Sequence, residues 1–324
     1  MDSIELLGTL IEKARIPIGL IGYGHWGHTI AQSLKNHNSC RLAAIVTSRS
    51  ISTNQIPTGC SIYANAFEMY QSGSVAAIVI ANSPENHFEV AINALKNNLP
   101  TWIEKPLTTD IRQSLELLQT AQRLKSRVFV NHIFVHSVAW SQFKKSAEFL
   151  GKLLNIQTSG GSPLPIRKDT PPLWDWGPHD ISLILDLVGS KPNLVDATIV
   201  KNITPIQGNL LNTKIQMEFE NGVKSSSIFG SDFKEKTRWV KAQFEYGRLE
   251  LLNFEHGPIV KIIKSKTHDL ESLQFPIRFL PRPLDNAIMQ FIGLVKDPNT
   301  NVRDLLLGHD VVSVLSEAEN QMRA

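Results

Sequence analysis

Cysteine is nearly absent: Cys40 and Cys60 are the only two in 324 residues. Two thiols at that spacing form neither a disulfide framework nor a zinc-ligand pattern, and they suit a reducing compartment. No metal is expected. Long apolar runs are missing too. Although 42% of residues are hydrophobic, none of the runs approaches the roughly 18 residues needed to cross a bilayer, so no membrane partner is expected. The start, Met1-Asp2-Ser3-Ile4-Glu5, lacks the basic opening of a secretory signal, and the expected location is the cytoplasm. The charge excess is only +3, and pairs such as Lys144-Lys145 read as a solvated helix face. Nucleic acid is therefore not an expected partner. Acid is missing from one stretch in particular, since no Asp or Glu stands between Glu12 and Glu68.

What is present is a change of pattern along the chain. A chain of this length supports two cores. From residue 16 to about 132, apolar strand segments (16–21, 42–46, 75–81, 101–104 and 128–130) alternate with amphipathic helices. The helix after the first strand carries Ile30, Ala31 and Leu34 on one face, and others are expected over 85–96 and 110–124, with a further helix ahead of the first strand at 3–14. A turn-rich stretch runs through Pro57 and Gly59. This rhythm predicts a parallel sheet with helices on both faces. After a helix over 138–150, the pattern turns to strands joined by the hairpin signals Asn221-Gly222 and Tyr246-Gly247. Ile215, Met217 and Phe219, and again Val240, Ala242 and Phe244, alternate as in an antiparallel sheet with one covered face. Helices over 284–295 and 305–321 end the chain. The expected fold is α/β: a Rossmann domain over 1–132, onto which the last helix is free to pack back, and an α+β domain over 133–324 on a large, mostly antiparallel sheet.

Gly22-Tyr23-Gly24-His25-Trp26-Gly27 lies between the first strand and its helix. In that context the glycines let backbone N–H groups and the helix N-terminus hold a pyrophosphate. Sites for NAD place a carboxylate about 20 residues further on. Here that place is taken by Thr47-Ser48-Arg49-Ser50, and Ser48 and Arg49 suit a 2′-phosphate. NADP(H) is the preferred cofactor on this reading and NAD(H) the alternative.

Glu104-Lys105-Pro106 puts an amine at the carboxyl end of a parallel strand, where open α/β sheets bind ligands. In Trp174-Asp175-Trp176-Gly177-Pro178-His179-Asp180 a carboxylate and an imidazole stand four positions apart, leading into a helix expected at 181–188. Oxidation of an alcohol needs a group to take the hydroxyl proton, and His179 or Lys105 is of the right type. Each residue also has a plain structural reading: Asp175 or Asp180 as a helix cap, Lys105 paired with Glu104, and His179 as a satisfied core histidine.

From about Ile16 onward the chain resembles the glucose-fructose oxidoreductase / inositol dehydrogenase / MocA family. The resemblance rests on the glycine turn, Ser83-Pro84 with His87, Glu104-Lys105-Pro106, His132-x-Phe134, Leu150-Gly151-Lys152 and Asp175-x-Gly177-x-His179, all in order. It implies tightly held NAD(P), action on sugars, inositols or related polyols, and a dimer or tetramer formed through the large sheet. It also implies roles: Lys105 would polarise or protonate the reacting oxygen, His179 would serve as acid/base, Asp175 would orient substrate or His179, and Ser83, Pro84 and His87 would line the nicotinamide side. The chain departs from the pattern at Ser182, where many members carry Asp. The form Trp-Asp-x-x-Pro-His-Asp, with Trp26 in the glycine turn, is similar to the branch acting on nucleotide-linked amino sugars. Arg167 and Lys168 are candidates to meet a substrate anion, Trp174 and Trp176 to stack on a sugar, and Gly160-Gly161-Ser162-Pro163 to form a loop over the cleft. The alternatives are a cofactor-binding sensor without turnover and a reductase of a non-sugar substrate.

Overall fold

The computed structural model describes residues 15–49, 56–163, 170–200, 211–252, 254, 259–264, 270–275, 281–297, 299 and 302–323. The chain divides into two compact units. The first comprises residues up to Thr108, Arg112–Asn131 and Ala287–Leu306, and the second comprises Thr109–Ile111, His132–Asn286 and the residues from Leu307 on.

Among the described residues the first unit forms a six-stranded sheet. Its strands are β1 (Ile16–Ile21), β2 (Cys40–Val46), β3 (Ser61–Tyr63), β4 (Ala77–Ile80), β5 (Thr101–Glu104) and β6 (Val128–Asn131), in the order β3-β2-β1-β4-β5-β6. Every neighbouring pair is parallel. Strands covered on both faces need continuous apolar runs, and Ala77, Ile78, Val79 and Ile80 are all fully buried. Helices α1 (His25–Lys35), α2 (Ala66–Gln71), α3 (His87–Lys96) and α4 (Ile111–Leu124) connect the strands. Helix α1 buries Ile30, Ala31 and Leu34, as its spacing predicts. The expected turn at Pro57 and Gly59 is present, with Gly59 at φ +75°, and two unexpected elements follow it. Strand β3 is a three-residue edge with an exposed start, too short to show a period. Helix α2 is capped by Asn65, whose Oδ1 accepts from the Glu68 N–H at 3.0 Å. The core is closed by Phe291, which packs edge-on to Trp102 at 5.5 Å, while Trp102 meets Phe129 at 5.0 Å. Arg127 secures the same segment by donating to the Val295 carbonyl at 2.6 Å. The helix expected at 3–14 lies outside the described residues.

Among the described residues the second unit is built on eight strands: β7 (Leu153–Gly161), β8 (Leu194–Val200), β9 (Asn212–Glu218), β10 (Lys224–Gly230), β11 (Thr237–Phe244), β12 (Gly247–Leu251), β13 (Ile259–Lys264) and β14 (Leu270–Phe275). Their order is β14-β13-β12-β11-β7-β10-β9-β8, and β7 with β10 is the parallel pair in an otherwise antiparallel sheet. The hairpin signals hold: Gly222 takes φ +82° in the β9–β10 turn. Ile156, Ile215, Met217, Val240 and Ala242 are buried on one face, whereas Gln157, Gln216 and Lys241 on the other are exposed. Helices α5 (Val138–Ala147), α6 (Pro172–Val188), α7 (Pro283–Lys296) and α8 (Arg303–Arg323) complete the chain. Helix α6 packs on β7 and β10, and at Gly177 a Cβ would lie 3.0 Å from Phe229 on β10 and 2.7 Å from Leu315 on the last helix. Gly160 and Gly161 are buried strand residues at the end of β7, which corrects the expectation of a loop there. No helix among the described residues is long and apolar enough to cross a membrane.

Candidate active site

In the first unit the glycine turn is shaped by what each glycine lacks. Gly22 has φ +96°, and a Cβ there would stand 2.5 Å from the Asn82 backbone nitrogen. One at Gly27 would stand 2.1 Å from the Gly22 carbonyl oxygen. Gly24 differs, because a Cβ there would meet nothing within 4 Å. It opens onto free space at the N-cap of α1, where no side chain takes the helix N–H groups. A pyrophosphate fits such a place, since the backbone can be approached closely and the N–H donors need acceptors. After β2, Ser48 and Arg49 are exposed, and the Arg49 N–H donates to Thr47 Oγ1 at 3.1 Å. Tyr23 and His28 meet at 3.2 Å and line a cavity of about 300 Å³ with Gln32 and Lys35.

The Lys105 turn is held by its neighbours. Glu104 is 5% exposed. Its Oε1 accepts from Trp102 Nε1 at 3.0 Å and Asn131 Nδ2 at 2.8 Å, and the Trp26 side chain is a third donor to the carboxyl. Burial pushes this carboxyl above the usual range, opposed by those three hydrogen bonds and the Lys105 charge. The side chain of Trp26 thereby ties the glycine turn to the strand end that carries half-buried Lys105. His87, expected to line a ligand, is 1% exposed. Its Nδ1 faces the Pro106 carbonyl at 2.9 Å and its Nε2 the Asn82 carbonyl at 3.1 Å, so it clamps the two turns together and shows no ring edge to a ligand. Burial holds its pKa below the ordinary value, against the pull of the carbonyls, and the neutral ring donates to one of them. Ser83 is half-buried and Pro84 buried at the start of the short helix between β4 and α3. The buried Oδ1 of Asn82 has no hydrogen-bond partner among the described residues, a polar atom that the sequence motif did not bring out.

In the second unit α6 starts at Pro172 and takes in the whole tryptophan motif, nine residues ahead of the expected 181. Pro at the first helical position favours this start. Asp175 and His179 are then one helical turn apart on the same face, and both are half-buried. Trp174 is 2% exposed. It is a core residue, which corrects its proposed stacking on a sugar and leaves half-buried Trp176 for that role. Ser182 turns its hydroxyl back to donate to the His179 carbonyl at 3.0 Å. Arg167 and Lys168 lie outside the described residues.

His179 meets the Phe134 ring edge-on at 5.1 Å. The Arg238 guanidinium lies over that same ring, 4.6 Å from its centroid, and Arg238 Nη1 donates to Asp180 Oδ2 at 2.7 Å with side chains 8% and 0% exposed. Burial pushes the Asp180 carboxyl up, opposed by the Arg238 charge and hydrogen bond. Gly160 makes room for this, since a Cβ there would stand 2.5 Å from Arg238 Nη2. Arg238 was detectable in principle: it is two residues ahead of the inward-facing series Val240, Ala242 and Phe244, so alternation points a charge into the core.

These features define a dinucleotide-binding enzyme class, and the comparisons agree. Residues 16–132 match the GFO/IDH/MocA family, an oxidoreductase family with an NAD-binding Rossmann fold. The matched residues lie in the first unit and are similar to that family's NAD-binding Rossmann domain. It is similar to the 2,7-anhydro-N-acetylneuraminate hydratase of Mediterraneibacter gnavus, with 18% identity over 78% of this chain and 71% of that protein. It is also similar to the inositol 2-dehydrogenase of Corynebacterium glutamicum, with 25% identity over 64% of each. Among solved structures, the UDP-N-acetylglucosamine 3-dehydrogenase of Acidithiobacillus ferrooxidans shares the fold, with TM-score 0.78, 20% identity, and coverage of 95% of this chain and 98% of that one.

Proposed function

We propose that this chain is an NADP(H)-preferring oxidoreductase that interconverts a hydroxyl and a carbonyl on a sugar, polyol or nucleotide-linked sugar. The observation that carries the reading is the open face at Gly24, tied through Trp26 and Glu104 to the turn that presents Lys105. The backbone of Gly22–Gly27 would hold the pyrophosphate, and Ser48 and Arg49 would meet a 2′-phosphate in place of the missing carboxylate. The nicotinamide, when bound, gives or takes a hydride. The chain's own groups handle the proton: Lys105 hydrogen-bonds the reacting oxygen, His179 takes or returns the hydroxyl proton, and Asp175, one turn away, orients His179 or a substrate hydroxyl. Trp176 offers a ring for a sugar face. Two free thiols, Cys40 and Cys60, suit a reducing cytoplasm, and a dimer or tetramer is the expected assembly.

The test is titration with NADPH and NADH by nicotinamide fluorescence, then a panel of sugars, inositols and nucleotide sugars followed at the reduced-nicotinamide absorbance. Lys105→Met is expected to keep dinucleotide binding and lose turnover by about 10²–10⁴-fold. Arg49→Ala is expected to weaken NADPH far more than NADH, and equal weakening would remove the preference. Binding without turnover on any member of the panel would favour a sensor.

A further inference from the structure

Four residues of the second unit form a connected set of which the proton-transfer scheme uses one. Asp180 follows His179 directly and is fully buried, bonded to Arg238 on β11. Arg238 in turn covers Phe134, and Phe134 meets the His179 ring. Phe134 is closed in further by Phe254 at 4.9 Å. A buried ion pair is seldom a net stabiliser compared with apolar residues of the same volume, because both charges lose their hydration. This pair is not even fully satisfied. Thr158 adds a side-chain hydrogen bond to the carboxyl, but Arg238 Nη2 is buried with no hydrogen-bond partner among the described residues. What the arrangement does supply is direction. The ion pair fixes the register of α6 against β11 at the residue next to His179, and the guanidinium holds the ring against which the imidazole edge rests.

We infer that Arg238, Asp180 and Phe134 are positioning residues, a brace that sets the His179 imidazole for proton transfer. The inference rests on the reading of His179 as acid/base. Misplacing a reacting group by about 1 Å costs on the order of 10²-fold in rate, and that is the size of effect expected.

The test compares full-length Arg238→Lys, Arg238→Met, Asp180→Asn and the double variant Asp180→Asn/Arg238→Met with the native protein and His179→Ala. Thermal midpoint, NADPH affinity, kcat and KM are read for each. Both single neutral variants should lower kcat by about 10²-fold with NADPH affinity unchanged. Arg238→Lys, which keeps the charge and loses the flat stacking group, should fall between them and the native protein. The double variant removes both buried charges, so its thermal midpoint should recover while its kcat stays low. Recovery of both would reduce the pair to a structural role and overturn the inference, as would single variants with native kcat. If His179→Ala is itself as fast as the native protein, the acid/base reading fails and the brace fails with it. If His179→Ala is slow and Arg238→Met is fast, the reading stands and only the brace falls. Independently of turnover, the His179 ring signals in histidine-labelled protein, assigned by their loss in His179→Ala, should shift and broaden in the double variant. Unchanged signals would also overturn the inference.

Discussion

Each unit buries one carboxylate beside a residue proposed to handle protons, and the two are stabilised differently. Glu104 precedes Lys105 and is held by neutral donors, the two indoles and an amide, with the Lys105 charge as the least of the opposing influences. Asp180 follows His179 and is held by the charge of Arg238 before anything else. In the first unit Trp102 and Asn131 sit on the paired parallel strands β5 and β6, and Trp26 sits in the first turn of α1. In the second, the carboxylate is on helix α6 and its partner is 58 residues away on strand β11. A turn-built node draws on the sheet's own geometry, whereas a helix-borne group needs a tether that only the folded chain supplies.

The largest effect that would break this comparison is expected at Asp180. Asp180→Asn leaves the Arg238 guanidinium buried without its counter-charge, and loss of one partner of a buried pair costs about 3–5 kcal/mol. Glu104→Gln keeps one acceptor oxygen for Trp102 and Asn131 and replaces the other with a donor, at a cost of about 1–3 kcal/mol. Urea unfolding of both variants at pH 7 checks the ranking. Equal losses would mean that charge pairing does not distinguish the two sites. Both carboxyls have folded pKa values raised above 4.5 for Glu and 3.8 for Asp. The stability each contributes is therefore greatest below those values and is lost as pH rises through them towards the folded pKa. Neither group accounts for acid unfolding.

The same contrast governs what was legible in the sequence. The parallel sheet was readable because burial on both faces writes continuous apolar runs into β1, β4 and β6, and the glycine turn because its neighbours on either side have opposite periodicities. Motif spacing made legible that Lys105 follows the end of β5 and that Asp175 and His179 stand one helical turn apart on α6. The start of α6 did not, since Pro178 reads as a breaker, yet the helix runs from Pro172 through it. Trp174 was indistinguishable from Trp176 by type, and only packing separates a core indole from an open one. The inward direction of Arg238 is legible from alternation, but its pairing with Asp180 and the clamp made by His87 depend on which atoms meet in space, and a one-dimensional pattern does not carry that. Strand β3 was missed because three residues show no alternation.

A smaller effect separates two glycines of one turn. Gly22→Ala combines a left-handed backbone with a Cβ 2.5 Å from a backbone atom of Asn82, and overpacking of that kind costs about 1–3 kcal/mol. Gly24→Ala meets nothing within 4 Å, with φ −77° open to any residue. Its stability should stay within about 0.5 kcal/mol of native, while NADPH affinity falls because the methyl group occupies the approach to the pyrophosphate. Chemical denaturation and fluorescence titration together decide this. Native affinity in Gly24→Ala would mean the dinucleotide does not approach there.

The smallest expected effect sharpens the comparison through histidine. Burial lowers the pKa of His87 in the first unit, helped by Lys105 and opposed by backbone carbonyls. It also lowers that of His309 in the second unit, helped by Lys191 and opposed by the Asp310 carboxylate. With folded values below 6.5, the unfolded chain binds the proton first as pH falls. The stability each neutral ring contributes is therefore complete above 6.5 and is lost as pH drops through 6.5 towards the folded value. Urea midpoints between about pH 7.5 and 5, a range that spans this titration, should show a steeper acid loss in the native protein than in His87→Gln. The same direction is expected for His309→Gln. Were the native protein to gain stability relative to His87→Gln on acidification, the buried ring would be the cation, donating to both the Pro106 and Asn82 carbonyls, and the neutral clamp would be wrong.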